Sequence, residues 1–335
     1  MVLSDKQKNL LALLADGQFH SGNDLAKALN LSRSAVWKHL QGCIELGIEV
    51  HALNGKGYRL DKPLMLLSKA EIQSRLNPSV KSLLSKLDVF DQLDSTNNYL
   101  MLQARRTNES GQVCLAEYQS SGKGRRGRQW VSPFASNIYL SILWRFNQTI
   151  SALGGLSLVV GVAVIRALNQ LGIADVGLKW PNDIFWQQKK LGGILIEIIG
   201  ESEGPCCAVI GLGLNVRMSD KVMHAINQPW VDLEHILGHS NTDRNVFVAA
   251  LLNEIVMILN AFNPQSLQAN LDEWRQYDCM RNQVVTLFMQ GQAIHGIVQG
   301  INQEGLLILM TQSGDMKAFA SGELSFSSEG YEATA

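Results

Sequence analysis

Apolar positions three and four residues apart open the chain. Ser4 precedes a run with Leu10, Leu11, Leu13 and Leu14 on one side and Gly17 beyond its end, the pattern of a capped amphipathic helix. Ser21 stands before "GNDLAKAL", and Ser32 before "RSAVWKHLQGCIEL", which runs to Gly47. Only Asn30 and Leu31 separate Leu29 from Ser32. Two helices around so tight a turn form a helix-turn-helix. The period then changes: "IEVHALNGKGYRL" reads as strand, Asn-Gly turn, strand. Helices followed by such a hairpin predict a winged helix-turn-helix over residues 1–62. Pro63, in "DKPLMLLS", marks a boundary.

A mixed pattern occupies residues 67–275. "VCLAEYQ", "NIYLSILW", "VGLKWPNDIFW", "KLGGILIEIIG" and "CAVIGLGLNV" read as strands. "LGGLSLVVGVAVIRALNQLGI" and "DRNVFVAALLNEIVMILNAF" read as helices. Several strands follow one another without a helix between them. That predicts a mixed or largely antiparallel sheet backed by helices rather than a doubly wound one. From residue 276 to 335, short strands and turns ("QVVTLFM", "AIHGIVQGI", "LLILMTQSG", "MKAFASGELSF") predict a small β-barrel. The fold class is multidomain α+β.

Composition narrows the picture. Among 335 residues, 46% are apolar and 18% charged, and net charge is −1. A packed core is affordable, and any polyanion must be met by a local surface. Five cysteines without a C-x-x-C pair argue against a disulfide framework or a cysteine zinc site and fit a reducing cytoplasm. The N-terminus carries no signal-peptide pattern, and the run "LGGLSLVVGVAVI" meets Arg166 too early to span a bilayer. In residues 1–62, basic residues outnumber acidic ones 8 to 6. Ser32, Arg33, Ser34, Trp37 and Lys38 begin the helix that would enter a major groove, with Lys56 and Arg59 on the wing. A protein-interaction module is the alternative reading of that domain.

"SSGKGRRGRQW", residues 120–130, matches G-x-G-x-x-G. A dinucleotide turn also needs a following helix and an acid about 20 residues on. "RQWVSPF" instead runs through Pro133 towards a strand, and no Asp or Glu occurs from Tyr118 to Ala174. A Walker A loop fails for want of G-K-[ST]. What remains is an anion clasp: glycines let backbone N–H groups approach, and arginine forks suit phosphate and carboxylate. In "LKWPNDIFW", Lys179 supplies a cation, and Asn182 with Asp183 supplies oxygens that could hold hydrated Mg²⁺, or simply a β-turn. Lys190 precedes Gly192 and Gly193. Gly211 and Gly213 interrupt an apolar strand ahead of Asn215, a sign of close approach or of a bulge. "DSTNNYL" offers hydroxyls at a helix start, for capping or for a polar ligand.

Together and in this order, "DSTN", "EYQSSGKGRRGRQWVSP", "KWPND", "KLGGILIE" and "GLGLNV" closely resemble the biotin protein ligases, over nearly the full length. The N-terminal winged helix and small C-terminal barrel resemble the bifunctional bacterial ligases that also repress the biotin operon. The resemblance implies a central fold like that of class II aminoacyl-tRNA synthetases and an SH3-like C-terminal barrel. It implies formation of biotinyl-5′-AMP from biotin and ATP with Mg²⁺, then transfer to a lysine of the biotin carboxyl carrier protein of acetyl-CoA carboxylase. It also implies a homodimer on operator DNA with the adenylate as corepressor.

By the same resemblance, Ser95, Thr96, Asn97, Gln119, Gly122, Arg125, Arg126, Lys190, Gly193 and Gly211 hold biotin. Arg125, Arg128, Trp130, Asn182, Asp183, Asn215 and Trp230 hold the nucleotide, which Gly211 also meets. Arg125, Lys179, Asp183 and Lys190 are the catalytic set, and Asp183 meets the metal. Lys123 stands where arginine is common in the family, and Ala135 where glycine is. A ligand-responsive repressor without catalysis and a lipoate-type ligase are the competing readings.

Overall fold

The computed structural model describes residues 4–45, 48–61, 64–201, 203–218, 226–238 and 242–326. The helix end expected at Gly47 and the boundary at Pro63 lie outside them.

Helix α1 (Asp5–Leu14) starts at Ser4, which forms a reciprocal capping box with Gln7. Ser21 caps α2 (Gly22–Leu29) through the Asp24 N–H, and Asn30 ends it in the left-handed region. The Ala35 N–H donates to Ser32 Oγ at the start of α3 (Arg33–Glu45). Strands β1 (Val50–Leu53) and β2 (Gly57–Leu60) form the wing. Gly57 has φ +104°, and a Cβ there would lie 2.0 Å from the His20 carbonyl oxygen, so only glycine fits. His20 and Tyr58 exchange two 2.9 Å backbone bonds that dock the wing on the helices.

Two short helices, α4 (Lys69–Arg75) and α5 (Pro78–Leu83), lead into a seven-stranded sheet. Its strands are β3 (Lys86–Phe90), β4 (Gln112–Ala116), β5 (Ile138–Phe146), β6 (Val176–Lys179), β7 (Asp183–Trp186), β8 (Lys189–Gly200) and β9 (Cys206–Leu214). The order is β3-β4-β5-β9-β8-β7-β6, with β3–β4 parallel and every other pair antiparallel. The segment read as one strand, "VGLKWPNDIFW", is a hairpin, because the turn at Trp180–Asn182 reverses the chain between β6 and β7.

Side-chain alternation divides the sheet's faces. Ile138, Leu140 and Ile142 of β5, with Ala208, Ile210 and Leu212 of β9, enter the main core. That core is shared with α7 (Leu156–Gln170), α9 (Arg244–Asn260) and α10 (Pro264–Gln276). On the other face, Leu143, Cys207 and Val209 pack with Leu100 of α6 (Thr96–Arg106). The helical stretch Ile150–Gln170, with mean hydropathy 2.0, is long and apolar enough to cross a membrane even with Arg166 in it. Its α7 is the core helix of this sheet, and 61% of an 18-residue window of the stretch is buried in the protein itself.

After α8 (Leu233–Leu237), α9 and α10 comes a five-stranded antiparallel sheet. It consists of β10 (Val284–Met289), β11 (Gln292–Ile301), β12 (Leu307–Thr311), β13 (Met316–Phe319) and β14 (Glu323–Phe326), in the order β13-β12-β11-β10-β14. Val285, Leu287, Val298, Leu307 and Leu309 join the main core, so this sheet and the central one share it.

The segment joining the winged helix to the central sheet is bolted down by polar groups. Arg244 and Glu117, 4% and 3% exposed, form an ion pair at 2.7 Å, in which Glu117 Oε2 accepts no hydrogen bond among the described residues. Arg244 also donates to the carbonyls of Met65 and Asn137, and Glu117 accepts from the Leu67 N–H. Phe134 and Ala135, from the central domain, are core residues of the winged helix. Ala135 holds φ +51°, the left-handed conformation that glycine takes more cheaply.

Two predictions follow from these buried charges. Arg244→Met leaves the Glu117 carboxylate without its cation, and denaturant unfolding should show a loss of about 3–5 kcal/mol; a loss under about 1 kcal/mol would show that the pair is not a structural anchor. Asp278 sits at the junction before β10. Burial pushes its carboxyl up to about 6, against the Met280 N–H and Arg281, and its Oδ2 has no hydrogen-bond partner among the described residues. The folded state therefore holds the proton more tightly than the unfolded chain does. The contribution of this one carboxyl to stability is complete below the unfolded value and is lost as pH rises through about 6. The fall should total about 2–3 kcal/mol, and Asp278→Asn should flatten it in melting curves taken from pH 4 to 8.

Candidate functional site

The opening of α6 forms one wall of a cavity on the α6 face of the sheet. Ser95 is the cap residue by backbone conformation, yet its side chain makes no capping hydrogen bond and is 2% exposed. The Ser95 hydroxyl is therefore not spent on capping, and Ser95 and Thr96 both line the cavity. The Thr96 N–H and hydroxyl both reach Gln119 Oε1, at 2.9 and 3.1 Å. Gln119 Nε2 donates to Ser132 Oγ at 3.0 Å. Ser141 Oγ lies 2.7 Å from Thr96 Oγ1 and donates to Asn97 Oδ1 at 2.6 Å. Asn97 Nδ2 donates to Glu197 Oε2 at 2.8 Å.

The alternation that builds the core also builds this cavity. Ser141 of β5, Gly211 and Gly213 of β9, and Gly193, Leu195 and Glu197 of β8 share one face across the ladder. A Cβ at Gly211 would lie 2.3 Å from Asn97 Oδ1, and one at Gly213 would lie 2.5 Å from the Trp130 indole. The glycines in "IGLGLNV" are therefore clearances rather than bulges.

The basic loop folds back over the cavity. Trp130 N–H donates to the Gly122 carbonyl at 2.8 Å, and Gly124 N–H to the Arg128 carbonyl at 2.7 Å. Arg126 and Gly127 at the tip have φ +55° and +75°. Gly122 has no room for a Cβ, which would lie 2.4 Å from the Trp130 carbonyl oxygen. Its three arginines reach the rest of the chain: Arg125 bonds Asn182 Oδ1 at 3.1 Å, Arg126 the Phe288 carbonyl at 3.3 Å, and Arg128 the Glu323 carboxylate. Burial pushes the Arg125 guanidinium below its ordinary value, and Arg126 adds to that. Beneath the loop, Lys190 pairs with Asp183 at 2.8 Å and lies 5.6 Å from the Trp130 ring. Lys179 sits 4.8 Å from the Phe185 ring, and burial pushes its ammonium below the usual lysine range while Asp183 opposes the shift.

Ser95, Thr96, Asn97, Gln119, Arg125, Arg126, Arg128, Trp130, Lys179, Asn182, Asp183, Lys190, Gly193 and Gly211 thus surround one cavity. Gly122 lines an adjoining groove at the base of the loop. Asn215 and Trp230 stand outside the wall. Asn215 Nδ2 is spent on the carbonyls of Lys190 and Val231, and Trp230 meets Lys190 through the backbone. Sequence reasoning missed Ser132, Ser141, Glu197 and the C-terminal Gly322 and Glu323, which also border the cavity or its loop. A lone serine inside the apolar run "NIYLSILW" was the available signal for Ser141. Among the described residues, no three His, Cys, Asp or Glu side chains cluster as a metal site.

At the other end of the chain, Ser32 just before α3 and Arg33, Ser34, Trp37 and Lys38 on it are all exposed, and Lys56 is exposed in the wing. Trp37 stacks on Tyr58 at 5.9 Å, joining helix and wing. Arg59, also on the wing, is half-buried, with its guanidinium 5.1 Å over the Phe19 ring and its Nε buried.

Known proteins resemble this chain in sequence and fold. The sequence pattern of the Biotin/lipoate A/B protein ligase family matches residues 89–215, an HTH domain pattern matches 6–59, and the Biotin protein ligase C terminal domain pattern matches 282–327. The Bifunctional ligase/repressor BirA of Escherichia coli (strain K12) is 40% identical over 95% of this chain and 96% of its own length. The Biotin--[acetyl-CoA-carboxylase] ligase of Mycobacterium tuberculosis is 32% identical over 67% of this chain and 83% of its own. The biotin protein ligase from Aquifex aeolicus in complex with biotin and ATP superposes with a TM-score of 0.61 at 26% identity, over 72% of this chain and 98% of that one.

Proposed function

The chain belongs to the BirA family of bifunctional biotin ligase/repressors, and from that premise we propose how its own residues carry out both halves of the activity. The ligase joins biotin to ATP and passes the biotinyl group to a lysine of a biotin carboxyl carrier protein. The winged helix represses the biotin genes, with biotinyl-5′-AMP as corepressor. The observation that carries the ligase reading is the buried hydrogen-bonded pocket at the start of α6, opening onto the Lys190–Asp183 pair under an arginine-bearing loop.

The ureido ring of biotin presents N–H donors and a carbonyl acceptor, and Ser95, Thr96, Asn97 and Gln119 complement them. Gly193 and Gly211 give the ring and chain their room. The carboxylate then meets Lys190. In the first step a carboxylate oxygen attacks the α-phosphorus of ATP, the α–β phosphoanhydride bond breaks, and pyrophosphate leaves. Two anions must approach, so cations placed between and around them lower the barrier. Lys190, Arg125, Arg128 and Lys179 fill that role, and Trp130 packs by the adenylate. The folded loop keeps water from the mixed anhydride. In the second step the acceptor amine attacks the acyl carbon, AMP leaves, and Asp183 is the carboxylate at hand to take the amine's proton.

Mg²⁺ fits a modest donor set. Asp183 and Asn182 provide one carboxylate and one amide oxygen, each already bonded to a cation. An ion arriving with the nucleotide would keep most of its ligands on phosphate oxygens and water. It would supply charge neutralisation at the triphosphate.

The repressor acts as a homodimer. Strand β7 covers β8 only from Lys189 to Gly193, so from Ile196 to Gly200 the outer edge of β8 has no strand beside it among the described residues. Ile198, 37% exposed, stands on that edge. An open edge of this kind is a template for strand pairing with a second copy, which would set two winged helices on paired half-sites. ATP supply, carrier protein and operator DNA together place the protein in the cytoplasm.

Purified chain with biotin and MgATP should biotinylate a carrier domain, and Lys190→Ala should slow adenylate formation on the order of 10²-fold. Transfer of lipoate in place of biotin would sink the substrate assignment. Lys38→Ala and Lys56→Ala should each weaken operator binding and reduce the slope of log affinity against log salt by about 1, read by fluorescence anisotropy over a salt series.

A further inference from the structure

We propose that Glu197 is the positioning residue that fixes which way the Asn97 amide faces biotin, and that through Lys123 it also ties the basic loop to the pocket floor. The inference deepens the ligase reading and rests on it.

An asparagine side chain can turn over, exchanging its donor and acceptor ends. In this pocket the choice is made by neighbours. Glu197 Oε2, 2.8 Å from Asn97 Nδ2, belongs to a carboxylate and can only accept. The Asn97 NH₂ is therefore held towards Glu197, with the Leu195 carbonyl 3.4 Å away for its second hydrogen. Asn97 Oδ1 must face the other way, where it accepts from Ser141 Oγ and lies across from Gly211. Its remaining lone pair suits an N–H donor. A ureido ring offers one, whereas a ring bearing only acceptors or sulfur does not. Glu197 thereby acts on specificity without touching the ligand.

The second oxygen of the same carboxylate has a different partner. Glu197 Oε1 accepts from Lys123 Nζ at 3.1 Å, and Lys123 belongs to the basic loop. With the Thr96 hydroxyl donating to Ser141 Oγ and the Thr96 N–H to Gln119 Oε1, hydrogen bonds run from Lys123 through Glu197, Asn97, Ser141, Thr96 and Gln119 to Ser132. Lys123 precedes the arginines of the loop and Ser132 follows them, so both sides of the arginine-bearing tip are tethered to one polar chain across the pocket floor. Lysine gives that tether a single-point contact rather than a fork.

Four full-length variants separate the two functions. Glu197→Ala removes both contacts; Glu197→Gln keeps an acceptor for Asn97 but loses the charge facing Lys123. Glu197→Ala should raise the biotin KM roughly tenfold, with kcat for adenylate formation within about twofold of wild type because Lys190 and Asp183 are untouched. Glu197→Gln should restore KM to within about threefold. Glu197→Gln and Lys123→Ala should each speed release of preformed biotinyl-5′-AMP about threefold, and the double variant should be no faster than either alone. The inference is overturned if Glu197→Ala binds biotin as wild type does, or if the effects of Glu197→Gln and Lys123→Ala on release simply multiply. Wild-type protein without any biotin binding by calorimetry would overturn the ligase reading as well, so the two failures are told apart.

Discussion

Arg244 is a cation withdrawn almost wholly from water, and the architecture around it follows from the need to satisfy it. A buried guanidinium is tolerable only when its donors are matched by a carboxylate and carbonyls. Here the matching groups come from three places far apart in sequence: Glu117 just after β4, the Asn137 carbonyl just before β5, and the Met65 carbonyl in the segment that leaves the winged helix. Meeting that requirement fixes the first turn of α9 against the ends of two central strands and holds the exit of the N-terminal domain in place. Glu117 lies two residues before Gln119, and the basic loop begins immediately after it. The pocket is therefore built out from a charged anchor that takes no part in the chemistry.

The helices of the N-terminal domain were legible because their caps are local: Ser4, Ser21 and Ser32 each accept from an N–H three residues ahead. The mixed sheet was legible from strands that follow one another without helices. The hairpin around Pro181 was harder, since "VGLKWPNDIFW" is apolar at both ends and its reversal depends on backbone geometry at the turn. For the pocket, hydroxyls and glycines pointed to segments that line one cavity. Alternation could not say which face of β5 or β8 would line a cavity, so Ser141 and Glu197 stayed hidden until the neighbouring strands fixed the register. Asn215 shows the same limit from the other side: its place after a glycine-rich strand could not report that its Nδ2 closes two backbone carbonyls.

The basic loop is where distance along the chain hides most. Its arginines meet Phe288, Gly322 and Glu323 of the C-terminal sheet, over 160 residues away or more. No local pattern reports such contacts. They give the small β-domain a place beside the reacting groups, although its own sequence carries no catalytic motif. Arg125 also bridges to Asn182, so the loop, the turn before β7 and the C-terminal sheet converge on one guanidinium.

Phe134 and Ala135 belong by sequence to the central domain and by packing to the winged helix. The chain is thus modular when read as a string and not when read as a solid. Cutting it at the linker would leave an aromatic side chain of the catalytic half without its cover and the DNA-binding half with a hole where a core residue had been. Grafting this winged helix onto another enzyme, or trimming the ligase to its catalytic part, would have to begin by redesigning that shared seam.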